Sequence, residues 1–202
     1  MFTLYDYLPS GNGYKVRLVL RQLELPFRYI EIDILRGESR SSGFLSRNPN
    51  GKIPTLEYAP GAFLSESNAI MYYLAIDSHL MPSDRLHQAQ VMQWLFFEQY
   101  SHEPYIAVSR FLLTHGELDD EKRAVLMQKK PGGEAALRVM NQHLEDRQYF
   151  VAEQYTIADI GLYAYTHVAA EGGFDLAHWP AIQAWLERVA RQPLHCRITD
   201  QF

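Results

Sequence analysis

Four short stretches of this chain bring together residue types that can do chemistry. Ser10-Gly11-Asn12-Gly13 falls between an alternating aromatic segment and a run with helical spacing. At such a junction backbone N–H groups and the helix dipole favour an anion. The same residues equally suit a plain turn, since Gly, Asn and Ser all favour one. The Gly-x-Gly lacks the third glycine of a dinucleotide loop, Val16 standing in its place. Asn48-Pro49-Asn50-Gly51-Lys52-Ile53-Pro54 ends in an X–Pro pair, where a cis bond would turn two backbone groups outward. Glu66-Ser67-Asn68-Ala69-Ile70 reads as a strand end entering a helix. There Ser67 could receive a carboxylate through its hydroxyl and N–H, or simply cap the helix. Thr156-Ile157-Ala158-Asp159 has capping-box spacing, with Asp in place of Glu or Gln, and is assigned to folding.

Other chemistries lack their residues. The eight histidines show no HExxH or comparable ligand spacing, so no metal is expected. One cysteine, Cys196, excludes an internal disulfide, a four-cysteine zinc site and a CxxC pair. Its neighbour is His195, but the pair lies near a terminus expected to fray, a poor place for a nucleophile. There is no GxSxG elbow and no Walker loop. Twenty-four acidic against nineteen basic side chains leave a net charge of −5, which argues against a nucleic-acid partner. No basic start with an apolar run reads as a secretory signal, and no apolar stretch approaches the roughly 18 residues of a membrane span. The expectation is a soluble, cytoplasmic protein with no membrane partner.

The elements that must position these stretches fall into two parts. Phe2 to Tyr7 reads as a strand, Tyr14 to Glu24 as a helix stopped by Pro26, and Tyr29 to Ile34 as a second strand. Thr55 to Tyr58 and Phe63 to Ser65 flank a compact turn, and Glu66 to Ile76 closes the module as a helix. The order β-α-β, β-β-α describes a small mixed sheet, and a right-handed crossover makes the first two strands parallel. Beyond Met81-Pro82-Ser83-Asp84 only helical stretches appear: Leu86 to Leu113 with Pro104 dividing it, Glu134 to Leu144, Thr156 to Ala170, and Pro180 to Ala190. The fold class is therefore α/β plus all-α, with expected domains at 1–79 and 85–202. The aromatic stretch from Trp94 to Tyr105 reads as helix core more readily than as a ligand wall.

Together, SGNGYKVR from Ser10, NPNGKIP from Asn48, ESNAIMYYL from Glu66 and YTIADIGLY from Tyr155 resemble the cytosolic glutathione transferases, over essentially the whole chain. The resemblance implies a thioredoxin-like domain followed by a helical one. Ser10-Gly11-Asn12 stands where a redox thioredoxin carries cysteines, so dithiol exchange through the protein's own thiols is excluded. Glutathione is the implied co-substrate. Backbone groups of Ile53, ahead of a cis Pro54, would pair with its cysteinyl unit. Glu66 and Ser67 would take the γ-glutamyl end, and Lys52 would lie near the glycyl carboxylate or be a solvated charge. Ser10 occupies the position of the thiol-activating hydroxyl in serine-type classes, and Asn12 matches an asparagine of the bacterial nu class, with the zeta class carrying cysteine there. Bringing a thiol from about pH 8.5 to about pH 7 requires roughly 2 kcal/mol, within reach of one charged hydrogen bond of about 1.5–3 kcal/mol.

The expected reaction is conjugation of the glutathione thiolate to a small hydrophobic electrophile. Reduction of peroxides or disulfides is the alternative, and a binding or regulatory module without turnover is a third reading. The acceptor pocket is expected to draw on Tyr7, Tyr100, Tyr105 and Phe111, each equally suited to core. A two-fold homodimer is also implied, with the turn at Ala59 to Phe63 a candidate contact.

Overall fold

The structure is a computed structural model describing residues 1–202. They divide into two compact units, one of Met1–His79 with Pro193–Phe202, the other of Leu80–Gln192.

In the first unit, β1 (Phe2–Asp6), β2 (Phe27–Glu31), β3 (Thr55–Ala59) and β4 (Ala62–Ser65) form one sheet in the order β2-β1-β3-β4. β1 and β2 run parallel with Phe2 opposite Phe27, and the remaining pairs are antiparallel. The second strand was expected over Tyr29 to Ile34 but lies earlier, because pairing ends where β1 ends and only one bond, Ile32 N–H to the Asp6 carbonyl at 2.7 Å, continues it. α1 (Gly11–Gln22) and α3 (Ser67–Ala75) pack on each other, with the four-residue α2 (Ser42–Leu45) between them in sequence. Leu4, Val16, Leu20, Leu56 and Ile70 form the fully buried core between sheet and helices.

α1 begins three residues before the expected Tyr14, and the reason is local. Ser10 caps it, accepting from the Gly13 N–H at 3.3 Å. Gly13 then crosses Asp6 so closely that a β-carbon would sit 1.6 Å from the carboxylate. Glycine here permits close approach and does not break the helix.

The last ten residues, expected with the helical domain, pack in the first unit. Tyr14 Oη donates to the Cys196 carbonyl at 2.6 Å, Arg17 Nη1 to the Ile198 carbonyl at 3.1 Å, and Gln22 Nε2 to the Pro193 carbonyl at 3.4 Å. Phe202 lies on Phe27 and Tyr29, centroids 5.5 and 6.2 Å away. Cys196, expected at a fraying end, is held and 4% exposed.

The second unit is helical: α4 (Arg85–Phe97), a π-helical turn (Glu98–His102), α5 (Glu103–Thr114), α6 (Asp120–Leu144), α7 (Ile157–Thr166) and α8 (Pro180–Ala190). The expected division near Pro104 takes the form of that π turn, with Pro104 in the first turn of α5, where its missing N–H costs no helical bond. α6 starts fourteen residues ahead of the expected Glu134, capped by Asp119, and runs through Pro131. Gly132 and Gly133 follow because rings press on the helix: a β-carbon would meet the Tyr105 ring at 2.3 Å and the Phe174 ring at 2.2 Å. α7 stops at Thr166, and a 3-10 turn over Ala169–Gly172 follows. The Thr156–Asp159 capping box is formed, and buried Asp159 also accepts from Phe150 N at 3.2 Å and Trp185 Nε1 at 2.9 Å. No helix is long and apolar enough to cross a membrane.

Candidate functional site

Asn12 lies in the first turn of α1, and Ser67 opens α3. Ser67 Oγ donates to Asn12 Oδ1 at 3.4 Å, so the N-termini of two packed helices meet through side chains 55 residues apart in sequence. Both helix ends present N–H groups and the positive end of a dipole. Between them lies the ammonium of Lys15, wholly buried, 2.8 Å from Asn12 Oδ1 and 3.5 Å from Ser67 Oγ. Three positively polarised groups therefore converge on one region of the first unit.

Ser10 sits one residue ahead of α1, half-buried, with its N–H donating to the Tyr7 carbonyl at 2.8 Å. Its Oγ accepts from Gly13, and a hydroxyl that accepts one bond keeps its own hydrogen to give. Asn12 is also half-buried. Because its Oδ1 faces Lys15 and Ser67, the donor end of that amide is the opposite one, Nδ2.

The Ile53–Pro54 bond is cis. Asn48 holds the preceding loop, donating from Nδ2 to the Lys52 carbonyl at 2.7 Å and to Thr55 Oγ1 at 3.2 Å. Lys52 itself is exposed. Glu66 is exposed and takes the left-handed φ of 69° immediately before Ser67. A non-glycine residue held there is unusual, and such outliers gather at binding sites.

Beneath α1, Asp6 and Arg17 form an ion pair of 3.2 Å with neither side chain exposed. Burial pushes the Asp6 carboxyl up to about 7 despite the pull of the guanidinium. Arg17 also donates to the Leu8 carbonyl at 2.6 Å, which fixes the chain just ahead of Ser10. Burial and the carboxylates of Asp33 and Glu31 push the Tyr7 phenol above its ordinary value, so it is a neutral hydroxyl at physiological pH. Burial likewise pushes the Cys196 thiol up to about 11.

The expected acceptor residues fall in both units. Tyr7 belongs to the first unit and is half-buried. In the second unit, Tyr100 and Tyr105 line a groove of about 290 Å³ with Phe97, Gly132, Ala135 and Val139. Tyr100 is 84% exposed, against the reading of its stretch as helix core. Phe111 does not line that groove and stacks on His115, centroids 4.4 Å apart.

Sequence reasoning missed Lys15, Asp6 and Arg17. A signal existed for Lys15: it stands four residues before Val19, on the face that α1 buries.

Known proteins agree with this architecture. Residues 1–76 match the family model described as the glutathione S-transferase N-terminal domain, and residues 89–193 match the C-terminal domain model. The crystal structure of a glutathione S-transferase from Pseudomonas fluorescens Pf-5 superposes with a TM-score of 0.96 at 49% identity, covering 98% of this chain and 99% of that one. A glutathione S-transferase from Xanthobacter autotrophicus Py2 gives 0.91 at 41% identity, covering 98% and 97%. The disulfide-bond oxidoreductase YfcG of Escherichia coli K12 is 30% identical over 200 residues, which is 96% of this chain and 92% of that protein.

Proposed function

Since the chain belongs to the glutathione S-transferase family, we propose that it binds glutathione on the first unit and joins the thiolate to a small hydrophobic electrophile. The observation that carries this reading is the meeting of two helix N-termini at Asn12 and Ser67. Anionic groups are favoured there, and glutathione brings two of them, a γ-glutamyl carboxylate and an ionised sulfur. Ser67 with Glu66 takes the γ-glutamyl end. The backbone of Ile53 pairs with the cysteinyl unit, and Lys52 serves the glycyl carboxylate.

Ser10 Oγ and Asn12 Nδ2 are the donors assigned to sulfur. Each hydrogen bond to a charged group contributes about 1.5–3 kcal/mol, and a helix N-terminus about 0.3–1 kcal/mol. That suffices to ionise the thiol near neutral pH, its proton passing to solvent. The thiolate then attacks the electrophilic carbon as the leaving group departs with the bonding pair. Titration of glutathione by calorimetry, followed by turnover of an aryl halide with wild type, Ser10→Ala and Asn12→Ala, tests the assignment. Bound glutathione with undiminished turnover in both variants would refute it. Lack of binding in wild type would leave only a module without catalysis.

The relationship to a disulfide-bond oxidoreductase supports a second reading, glutathione-dependent disulfide reduction. One glutathione thiolate would displace a thiol from the disulfide, and a second would resolve the mixed disulfide, releasing oxidised glutathione. Both electrons would come from glutathione, since the one cysteine, Cys196, is buried and protonated. Relative rates with an aryl halide, an organic hydroperoxide and a small disulfide separate these chemistries, and Cys196→Ala is expected to keep the wild-type rate in each.

Association as a homodimer belongs to the same reading. Tyr58 and Tyr73, exposed with ring centroids 5.5 Å apart, support a contact beside the Ala59 to Phe63 turn. Sedimentation at micromolar concentration checks it, a 23.4 kDa species alone counting against it.

A further inference from the structure

A wholly buried ammonium is costly to desolvate, and two of the contacts made by Lys15 are neutral dipoles, the Asn12 amide oxygen and the Ser67 hydroxyl. These are the very side chains assigned above to the sulfur and to the γ-glutamyl carboxylate of glutathione. We propose that Lys15 is a positioning residue for both ends of that ligand: it fixes the Asn12 amide with Nδ2 toward the sulfur and sets one positive charge behind the thiolate and the carboxylate together. The proposal rests on the glutathione reading.

The geometry supports it in three ways. First, an asparagine amide can turn over, exchanging an acceptor for a donor at nearly the same position, and this would place Oδ1 against the sulfur. An ammonium has three donors and no acceptor, so at 2.8 Å it admits only the oxygen end of Asn12. Second, Lys15 is three residues after Asn12 in the same helix, so its side chain reaches back along the helix to the first turn. Third, Ser67 Oγ also donates to Asn12 Oδ1, and the three side chains close a polar triangle spanning α1 and α3. An anion bound at either end thereby meets the same buried charge, screened far less than a surface lysine would be.

The test uses the intact protein and glutathione itself. Wild type, Lys15→Met, Lys15→Gln and Lys15→Arg are compared for the ultraviolet thiolate band of bound glutathione against pH. The pH profile of kcat/KM is measured with whichever substrate the wild type turns over. Removing the charge is expected to raise the apparent pKa of the bound thiol by about one unit, a tenfold loss of rate on the acid limb, and to raise KM for glutathione. Lys15→Arg keeps the charge and is expected to keep the wild-type profile.

A neutral variant that folds and retains the wild-type profile overturns the proposal, whatever its melting temperature. Should neither neutral variant fold, Lys15→Arg decides: a profile displaced by a unit despite the retained charge overturns it, and an unmoved one supports it. Failure of all three to fold makes Lys15 a folding residue and also overturns it. Absence of glutathione binding in wild type refutes the functional reading itself, and that result appears before any variant is made.

Discussion

Ser10 caps α1 and is the residue proposed to act on sulfur, and comparison with Asn12 separates the two effects. The Ser10 oxygen caps α1 through the Gly13 N–H, and its hydrogen is the one assigned to sulfur. Ser10→Ala is expected to lose about 1 kcal/mol of stability from the cap and about tenfold to a hundredfold in turnover from the lost bond to a charged group. Asn12→Ala keeps the cap, so its turnover is expected to fall without that part of the stability loss. Chemical denaturation beside turnover measures both. Asp6 makes a separate prediction. Its folded value of about 7 lies above its ordinary 3.8, so the folded state holds the proton more tightly than the unfolded chain. The stability this group contributes is full below about 3.8 and is lost as pH rises through 7. Wild type is therefore expected to gain on Asp6→Asn as pH falls from about 8 to about 5, by at most about 1.4 kcal/mol per unit. Thermal melts across that range read the slope.

At the scale of elements, the sharpest dependence is on Asp159. It ties the start of α7 to Trp185 in α8 and to Phe150, at the centre of a ring cluster where Phe150 lies 4.6 Å from Trp94 and 5.2 Å from Trp185. Asp159→Ala is expected to cost about 3 kcal/mol or more, since it leaves several buried donors without their acceptor. Urea unfolding checks this. The Thr156–Asp159 pair was legible in the sequence because a capping box is a local pattern. So was α8, whose start is marked by a proline at its first position, Pro180. The first fourteen residues of α6 were not legible. Pro131-Gly132-Gly133 has the composition of a break, and only the rings of Tyr105 and Phe174 against it explain glycines inside a helix. Sequence shows which residues are small, not what presses on them. Within the site the same division holds. Ser10, Asn12 and Ser67 announce themselves at element starts, whereas Lys15 reads as one more helix-forming residue until α3 is laid beside it.

For the whole molecule, the informative fact is that the first unit is made of two separated pieces of chain. Tyr14 and Arg17, both fully buried, complete their bonding on the carbonyls of Cys196 and Ile198. Ending the chain ahead of Pro193 is expected to leave these donors unmet and to destabilise the first unit by several kcal/mol, at about 1–3 kcal/mol for each buried group left unsatisfied. Limited proteolysis should then cut within residues 1–79 while 80–192 resists. Arg17 also donates to the Leu8 carbonyl, so the loss reaches the segment that carries Ser10, and glutathione affinity is expected to fall with it.

That two-piece construction reverses the usual order of birth. Domains commonly fold from the amino end as they leave the ribosome. Here residues 80–192 are continuous and can finish first, while the sheet made before them waits for the closing stretch to be translated. The stretch that holds Ser10, Asn12 and Ser67 is thus made before the helical unit and sealed after it.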